Sequence, residues 1–227
     1  MEKSLSIKTP DNHTIYWTLN SKNKSDKLII FVHGLGGNQN EHIFFNGARF
    51  FNNHHFDTFR FDLYPWDDWR NLVDCWVSNH TQDLEKVIQE FTWKYKEIYL
   101  VGHSLWGPTI LLANIENIKK IVLRDPVLDT INTFEDEIIY DKEKNIYMVR
   151  RWIDILIWEK MVKETNEIWD LNPRLNKKYK IIFAEKTDLK NDLKSEVKHI
   201  TIENSSHCFN EDWIEEKLFE ETLKWFI

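Results

Sequence analysis

Short apolar runs that alternate with amphipathic segments are the feature of this sequence that most constrains its fold. Residues 27–32 form a mainly apolar run that ends at a His-Gly pair, and residues 97–101 form another that ends at a glycine. Such runs are typical of strands that are buried on both faces of a sheet. Further short strands are predicted at 15–19, 56–61, 121–123, 180–184 and 197–202.

Helical patterns separate these predicted strands. Leu84, Val87, Ile88 and Phe91 recur at the spacing of one helix face, and residues 105–115 are apolar almost throughout, as in a buried helix. Alternation of strands with helices is typical of a mainly parallel sheet that helices cover on both faces. The sequence therefore predicts an α/β fold of this architecture.

One segment, residues 129–178, interrupts the alternation. Its apolar residues fit a helical spacing at Val149, Trp152, Ile153, Leu156 and Ile157, and the following stretch supplies Trp158, Met161, Ile168 and Trp169. We interpret this segment as a small helical cap inserted into a core of residues 1–128 and 179–227. The alternative is a pair of ordinary helices that pack on the sheet.

Composition excludes several classes of partner. The 227 residues carry a formal net charge of −7, which argues against a nucleic-acid partner because phosphates require lysine and arginine. The first residues contain no apolar signal core, and no apolar stretch is long enough to span a membrane. With only two cysteines, Cys75 and Cys208, a cytoplasmic localisation is predicted. The sequence does not indicate an oligomeric state.

The sequence GHSLWG at residues 102–107 is the most specific motif. It follows a predicted strand directly and precedes a predicted helix, so Ser104 lies in a strand-to-helix turn. A tight turn of this kind exposes the serine hydroxyl at the edge of the sheet. It also places the hydroxyl at a helix N-terminus, where developing negative charge is stabilised. Ser104 is therefore the predicted nucleophile.

With this motif, the chain resembles the α/β-hydrolase family over nearly its whole length, as a small esterase-like or lipase-like member. The family carries a nucleophile, an acid and a histidine in that order along the chain, and Ser104, Asp188 and His207 follow it. His207 lies between the last predicted strand and the last predicted helix, where the resemblance implies the general base. An imidazole can accept a proton near neutral pH, which suits that role.

The acid has several candidates. Asp188 follows the strand at 180–184, which is the position that the resemblance favours. Asp125 is an alternative, because some family members place the acid after the preceding strand, and Glu185 and Asp192 are others. Asp62 also follows a strand, and we interpret it as structural.

The resemblance also implies an oxyanion hole. The sequence HGLGG at residues 33–37 follows a predicted strand and resembles the oxyanion loop of the family. The backbone N–H groups of Leu35 and Leu105 are the predicted donors to the oxyanion. Side chains predicted to line the substrate pocket are His33, Gly34, Trp106, Trp152 and Trp158.

Trp106 departs from the family pattern, which has a small residue two positions after the nucleophile. The turn brings helix and strand close together, so an indole at this position needs additional room. Trp106 could face the pocket and select small acyl groups, or it could block the site.

These features predict a serine hydrolase that cleaves a small-molecule carboxylic ester or thioester through an acyl-enzyme on Ser104. Such a reaction requires no cofactor and no metal ion, and the histidines show no metal-ligand spacing. The same triad could instead act on an amide or a carbon–carbon bond, or catalyse acyl transfer. A catalytically silent, ligand-binding homologue is the alternative of a different class, suggested by Trp106.

Overall fold

The computed structural model describes residues 2–9, 13–22, 25–63, 76–131, 138–150, 154–157, 159–168 and 170–227. For Leu5, Trp106, Asp154 and Ile155 it describes the backbone alone. The strands are β1 Glu2–Lys8, β2 Thr14–Asn20, β3 Lys27–Val32, β4 Asp57–Phe61, β5 Glu97–His103, β6 Ile118–Arg124, β7 Ile138–Asp141, β8 Ile146–Arg150, β9 Asp154–Ile157, β10 Tyr179–Ala184 and β11 Lys198–Ile202. The α-helices are α1 His42–Asn53, α2 Val77–Phe91, α3 Gly107–Leu112, α4 Glu159–Glu167 and α5 Ile214–Phe226.

The centre of the molecule is an eight-stranded sheet in the order β1-β2-β4-β3-β5-β6-β10-β11. The pairs β1–β2 and β2–β4 are antiparallel, whereas the five pairs from β4 to β11 are parallel. The predicted mainly parallel sheet is therefore confirmed. Strand β1, for which no strand was predicted, adds an antiparallel edge.

Helices cover the sheet on both faces, as predicted. Apolar side chains of α1 and α5 pack with Ile29 and Phe31 of β3 on one face. Those of α2 and α3 pack with Leu28 and Ile30 on the other face. Because successive residues of a strand point to opposite faces, β3 is apolar on both faces from Leu28 to Val32, which explains its continuous apolar run.

The inserted segment differs from the prediction of a helical cap. Val149, Leu156 and Ile157, expected on one face of a helix, lie in strands β8 and β9 of a three-stranded antiparallel sheet with β7, and the helix α4 follows this sheet in the chain. A tight turn explains the difference. Asn145 adopts a left-handed conformation with φ of 55°, and the Asp141 carboxylate accepts the backbone N–H groups of Glu143 and Lys144. A turn in which an aspartate side chain accepts the backbone N–H groups of the following residues is an Asx turn. It reverses the direction of the chain and so places β8 antiparallel to β7.

The two ends of this segment lie side by side. Asp129 and Asp170 form an isolated β-bridge, and the Leu171 N–H donates to the Leu128 carbonyl at 3.0 Å. The Glu164 carboxylate of α4 accepts the Ser78 backbone N–H and hydroxyl at the start of α2, which satisfies the helix N-terminus. These contacts favour an insertion on the core, and its predicted limits at 129 and 178 stay a prediction.

Within the described ranges, no helix is both long enough and apolar enough to cross a bilayer.

Candidate active site

Three strand ends bring Ser104, Asp125 and His207 to one edge of the sheet. Ser104 follows β5, Asp125 follows β6 and His207 lies in the loop after β11. Strands β5 and β6 pair in register at His103 and Arg124, so the two residues that come next, Ser104 and Asp125, leave the sheet side by side. Parallel strands end at the same edge, which is where α/β proteins commonly build their sites.

A continuous chain of hydrogen bonds joins these three side chains. The Ser104 Oγ lies 2.7 Å from His207 Nε2, and His207 Nδ1 lies 2.6 Å from Asp125 Oδ2. A carboxylate accepts, so Nδ1 carries the hydrogen and Nε2 presents its lone pair to the Ser104 hydroxyl. The His207 side chain keeps 27% of its surface exposed, whereas Asp125 is fully buried. The imidazole can therefore exchange a proton between the serine and a bound molecule.

Asp125 corrects the preference for Asp188. Asp188 is exposed and begins the short 3-10 helix at 189–192. Glu185, another of the alternatives, is also exposed, and its carboxylate accepts the Asn204 N–H at 2.7 Å. The backbone of Asp125 is left-handed, with φ of 45°, and its carboxylate lies beneath the loop of His207. The acid in contact with the histidine is thus the one that follows β6.

The buried carboxylate of Asp125 is fully bonded. Its Oδ1 accepts the Ala184 N–H at 3.1 Å and the Thr187 hydroxyl at 2.9 Å, while Oδ2 accepts from His207. Hydrogen bonds of this kind offset the cost of burying a charge. The end of β10 and the turn that follows it therefore hold the acid, although they do not supply it.

The turn at Ser104 has the backbone strain expected of the predicted elbow. Ser104 has φ of 60°, and a 3-10 turn over Ser104–Trp106 leads into α3. Glycines flank the turn closely: a Cβ at Gly102 would lie 2.5 Å from Ile110 Cδ1, and one at Gly107 would lie 2.8 Å from Pro126 Cβ. The close approach after the nucleophile thus falls on Gly107, one residue beyond Trp106.

The predicted oxyanion loop is a tight turn beside the nucleophile. The Gly37 N–H donates to the Gly34 carbonyl at 3.0 Å, and Gly36 has φ of 73°, as in the third position of a type II turn. A Cβ at Gly34 would lie 3.1 Å from Ser104 Cβ, so the loop passes directly over the serine. Among the described residues, no acceptor is bonded to the Leu35 N–H. The Leu105 N–H lies in the first turn of a helix, where such groups lack intrahelical partners.

His33 is not a pocket residue, contrary to the prediction. It is buried, its Nδ1–H donates to the Gly34 carbonyl at 2.9 Å, and its Nε2 accepts the Leu63 N–H at 3.0 Å. Burial lowers the pKa of this imidazole, which keeps the ring neutral. With both ring nitrogens bonded to backbone, His33 joins the oxyanion loop to the end of β4.

Asp62 has the structural role that was predicted for it. Its carboxylate accepts the Gln39 backbone N–H at 2.7 Å and the Gln39 side-chain amide at 2.5 Å. Buried Arg60 donates to the Gln39 carbonyl at 3.0 Å. The chain that follows the oxyanion loop is therefore fastened to β4 through a second set of bonds.

The remaining predicted pocket residues have different outcomes. Gly34 lies against Ser104, as described above. Trp152 and Trp158 lie outside the described residues, as does the side chain of Trp106.

Sequence reasoning missed two ionisable residues beside the site. The Glu41 carboxyl occupies the space that a Cβ at Gly37 would need, and burial raises its pKa to about 7. The His103 ring contacts His207, and burial together with this neighbour holds the His103 pKa well below its ordinary value. Their short sequence distance from the HGLGG loop and from Ser104 is the signal that could have found them.

In the part of the chain that the structure describes, no three His, Cys, Asp or Glu side chains are grouped as metal ligands would be.

Comparison with known proteins identifies the fold. Neither a protein-family model nor a curated protein matches the sequence. Among solved structures, Est1E from Butyrivibrio proteoclasticus with ferulic acid bound has a TM-score of 0.79 at 17% identity, covering 98% of this chain and 99% of that one. A putative hydrolase from Agrobacterium vitis has a TM-score of 0.82 at 12% identity, with 100% of both chains covered. Mouse alpha/beta hydrolase domain-containing protein 10 gives 0.74 at 16% identity, covering 99% and 98%.

The chain has the α/β-hydrolase fold. The resemblance inferred from the sequence is confirmed at this level, over the whole length of the chain.

Proposed function

We propose that this protein is a serine hydrolase that cleaves a carboxylic ester or thioester through an acyl-enzyme on Ser104. The observation that carries the proposal is the hydrogen-bond chain from Ser104 through His207 to buried Asp125, with both distances at or below 2.7 Å. This arrangement of hydroxyl, imidazole and carboxylate is the one that activates serine in unrelated hydrolases. Neighbours named as esterases or hydrolases are consistent with it.

In the first half of the reaction, Ser104 Oγ attacks the carbonyl carbon while its proton passes to His207 Nε2. Asp125 stays ionised and stabilises the imidazolium through the bond to Nδ1–H. The carbonyl electron pair moves to oxygen, and the N–H groups of Leu35 and Leu105 would bind the resulting oxyanion. The tetrahedral intermediate collapses when the alcohol or thiol leaves and takes the proton from His207.

In the second half, water replaces the leaving group. His207 removes a proton from the water molecule, which attacks the acyl carbon on Ser104. Collapse of this second intermediate releases the acid and returns the proton to Ser104 Oγ. The partly exposed position of His207, between buried Asp125 and the open edge of the sheet, suits both transfers.

Covalent labelling provides the test. The intact protein is incubated with a fluorophosphonate probe, and p-nitrophenyl esters from acetate to long acyl chains are assayed in parallel. We expect wild type to be labelled and to hydrolyse at least one ester, whereas Ser104→Ala does neither. A matched control is Ser206→Ala, which alters an exposed serine hydroxyl in the His207 loop bonded to Asn210 and is expected to be labelled normally.

A folded wild type that reacts with neither the probe nor any ester contradicts the proposal. That result would favour the silent, ligand-binding homologue that Trp106 suggests. Labelling without ester turnover would instead favour an amide, a carbon–carbon bond or acyl transfer as the reaction of the same serine.

A further inference from the structure

The residue before the nucleophile contacts the loop of the general base. His103 Nε2–H donates to the His207 carbonyl oxygen at 2.8 Å, and the two imidazole rings lie 4.8 Å apart between centroids with an angle of 34° between their planes. Phe44 and Phe209 lie against the same ring at 6.5 and 6.3 Å. His103 is therefore held in an aromatic environment with one polar edge directed at His207.

The hydrogen bond fixes the tautomer of His103. Because a carbonyl only accepts, Nε2 carries the hydrogen and Nδ1 holds a lone pair. Nδ1 is buried and has no hydrogen-bond partner among the described residues. Protonation at Nδ1 would bury an N–H without an acceptor, which costs free energy. His103 is thus a neutral donor that does not compete with His207 for the proton of Ser104.

The charged groups around His103 also favour its neutral form. The ionisable groups that act on His103 are His207, Arg124 of β6 and His42 at the start of α1, and each is positively charged or becomes so on protonation. A second charge on His103 would oppose the imidazolium that forms on His207.

The loop of His207 has other anchors among the described residues, but none of them reaches β5. The Ser205 carbonyl accepts the Lys186 N–H at 3.0 Å, which joins the loop to the segment after β10, and the Ser206 N–H donates to Glu211 just beyond the loop. The bond from His103 instead joins the loop to β5, the strand that precedes Ser104 directly. Since His103 and Ser104 are adjacent in the chain, this bond places base and nucleophile in one rigid frame.

We propose that His103 is a positioning residue, which holds His207 at hydrogen-bonding distance from Ser104 through the bond to the His207 carbonyl. The inference rests on the proposed function, because it assigns His103 a role in setting the general base. Misplacement of a reacting group by about 1 Å can cost about 100-fold in rate, so a single anchoring bond is enough to matter.

Substitutions of matched length separate the bond from packing. Glutamine places its side-chain N–H close to the position of histidine Nε2, whereas methionine has a similar length and no donor. We expect His103→Met to lower kcat about 10- to 100-fold with KM within about 2-fold, and His103→Gln to stay within about 3-fold of wild type. His199→Met, at an exposed histidine of β11, serves as the control and is expected to leave kcat unchanged.

A second readout does not depend on activity. The His207 Nδ1–H in its bond to Asp125 gives a separate downfield proton resonance, which we expect to be sharp in wild type and His103→Gln and broadened in His103→Met. If His103→Met fails to fold, His103→Asn takes its place, since the shorter amide cannot reach the carbonyl.

Each outcome of these experiments either supports or overturns the inference. Wild-type kcat and an unchanged resonance in His103→Met overturn the inference, and so does equal loss in His103→Gln and His103→Met. A wild type without esterase activity but with the expected change in the resonance contradicts the proposed function and leaves the positioning supported.

Discussion

Glu41 makes the stability of this protein depend on pH in an unusual direction. Burial beside the turn at residues 33–37 raises the pKa of its carboxyl from the ordinary 4.5 to about 7. The folded protein therefore keeps this proton to a higher pH than the unfolded chain does. Between these two values the folded state binds more protons, so stability falls as pH rises through this window and is lowest above it.

The magnitude follows from the size of the shift. A rise from 4.5 to about 7 corresponds to about 3 kcal/mol of free energy of unfolding at about 1.4 kcal/mol per pKa unit. Because the side chain is only partly buried, solvent reduces this figure, and we expect about 1–3 kcal/mol. Glu41→Gln removes the titrating group and keeps its shape, so it should stabilise the protein above pH 7 and have little effect near pH 4.5.

Urea unfolding of wild type and Glu41→Gln at a series of pH values measures this difference. The control is Glu220→Gln, which replaces an exposed carboxylate of α5. We expect its free energy of unfolding to differ little from that of wild type at every pH. A wild type and a Glu41→Gln variant whose free energies of unfolding change in parallel from pH 5 to pH 8 would refute the reasoning.

Four further substitutions test other parts of the site. Asp125→Asn should lower kcat by about 10³- to 10⁴-fold, because His207 loses the carboxylate that accepts its Nδ1–H. Asp188→Asn should have little effect. An ester assay in which Asp188→Asn loses more activity than Asp125→Asn would contradict the assignment of Asp125 as the acid. Gly102→Ala places a Cβ against Ile110 and should cost about 1–3 kcal/mol in urea unfolding, so an unchanged midpoint would show that the turn has spare room. Trp106→Gly should fold and broaden the range of esters accepted, and a failure to fold in circular dichroism would mean that the indole is a packing element instead.

Much of the fold could be predicted because the pattern that indicates each strand lies within the sequence of that strand. The strands that carry Ser104 and the oxyanion loop are buried on both faces, so their sequences are apolar without interruption and end abruptly at glycine or histidine. The placement of Ser104 and His207 at one edge of the sheet was predictable for the same reason, because each follows a strand end and precedes a helix. Most of the described side chains of the edge strand β1 are exposed, so its sequence contains no continuous apolar run that would predict a strand.

The acid could not be chosen from local pattern. Asp125 and Asp188 each follow a strand at the same edge of the sheet, and the difference between them lies in contacts across strands. The Ala184 N–H and the Thr187 hydroxyl turn toward Asp125, which leaves Asp188 in solvent. No spacing within either segment encodes that choice.

The predictions for the inserted segment and for His33 differ from the structure for separate reasons. Apolar residues at 149–157 satisfy a helical spacing, but the left-handed turn at Asn145 and pairing with β7 override it. A buried histidine whose two nitrogens bond to backbone has the same sequence appearance as one that faces a substrate. Only the Leu63 N–H, contributed by another loop, distinguishes the two.

The bonding of Asp125 has a consequence for the proposed reaction. One carboxylate oxygen is occupied by the Ala184 amide and the Thr187 hydroxyl, so the other alone faces His207, and the imidazole is held in one orientation. In the proposed reaction, the same ring edge would receive the proton from the serine and deliver it to the departing group. The imidazole would then be ready for the next turnover without reorienting.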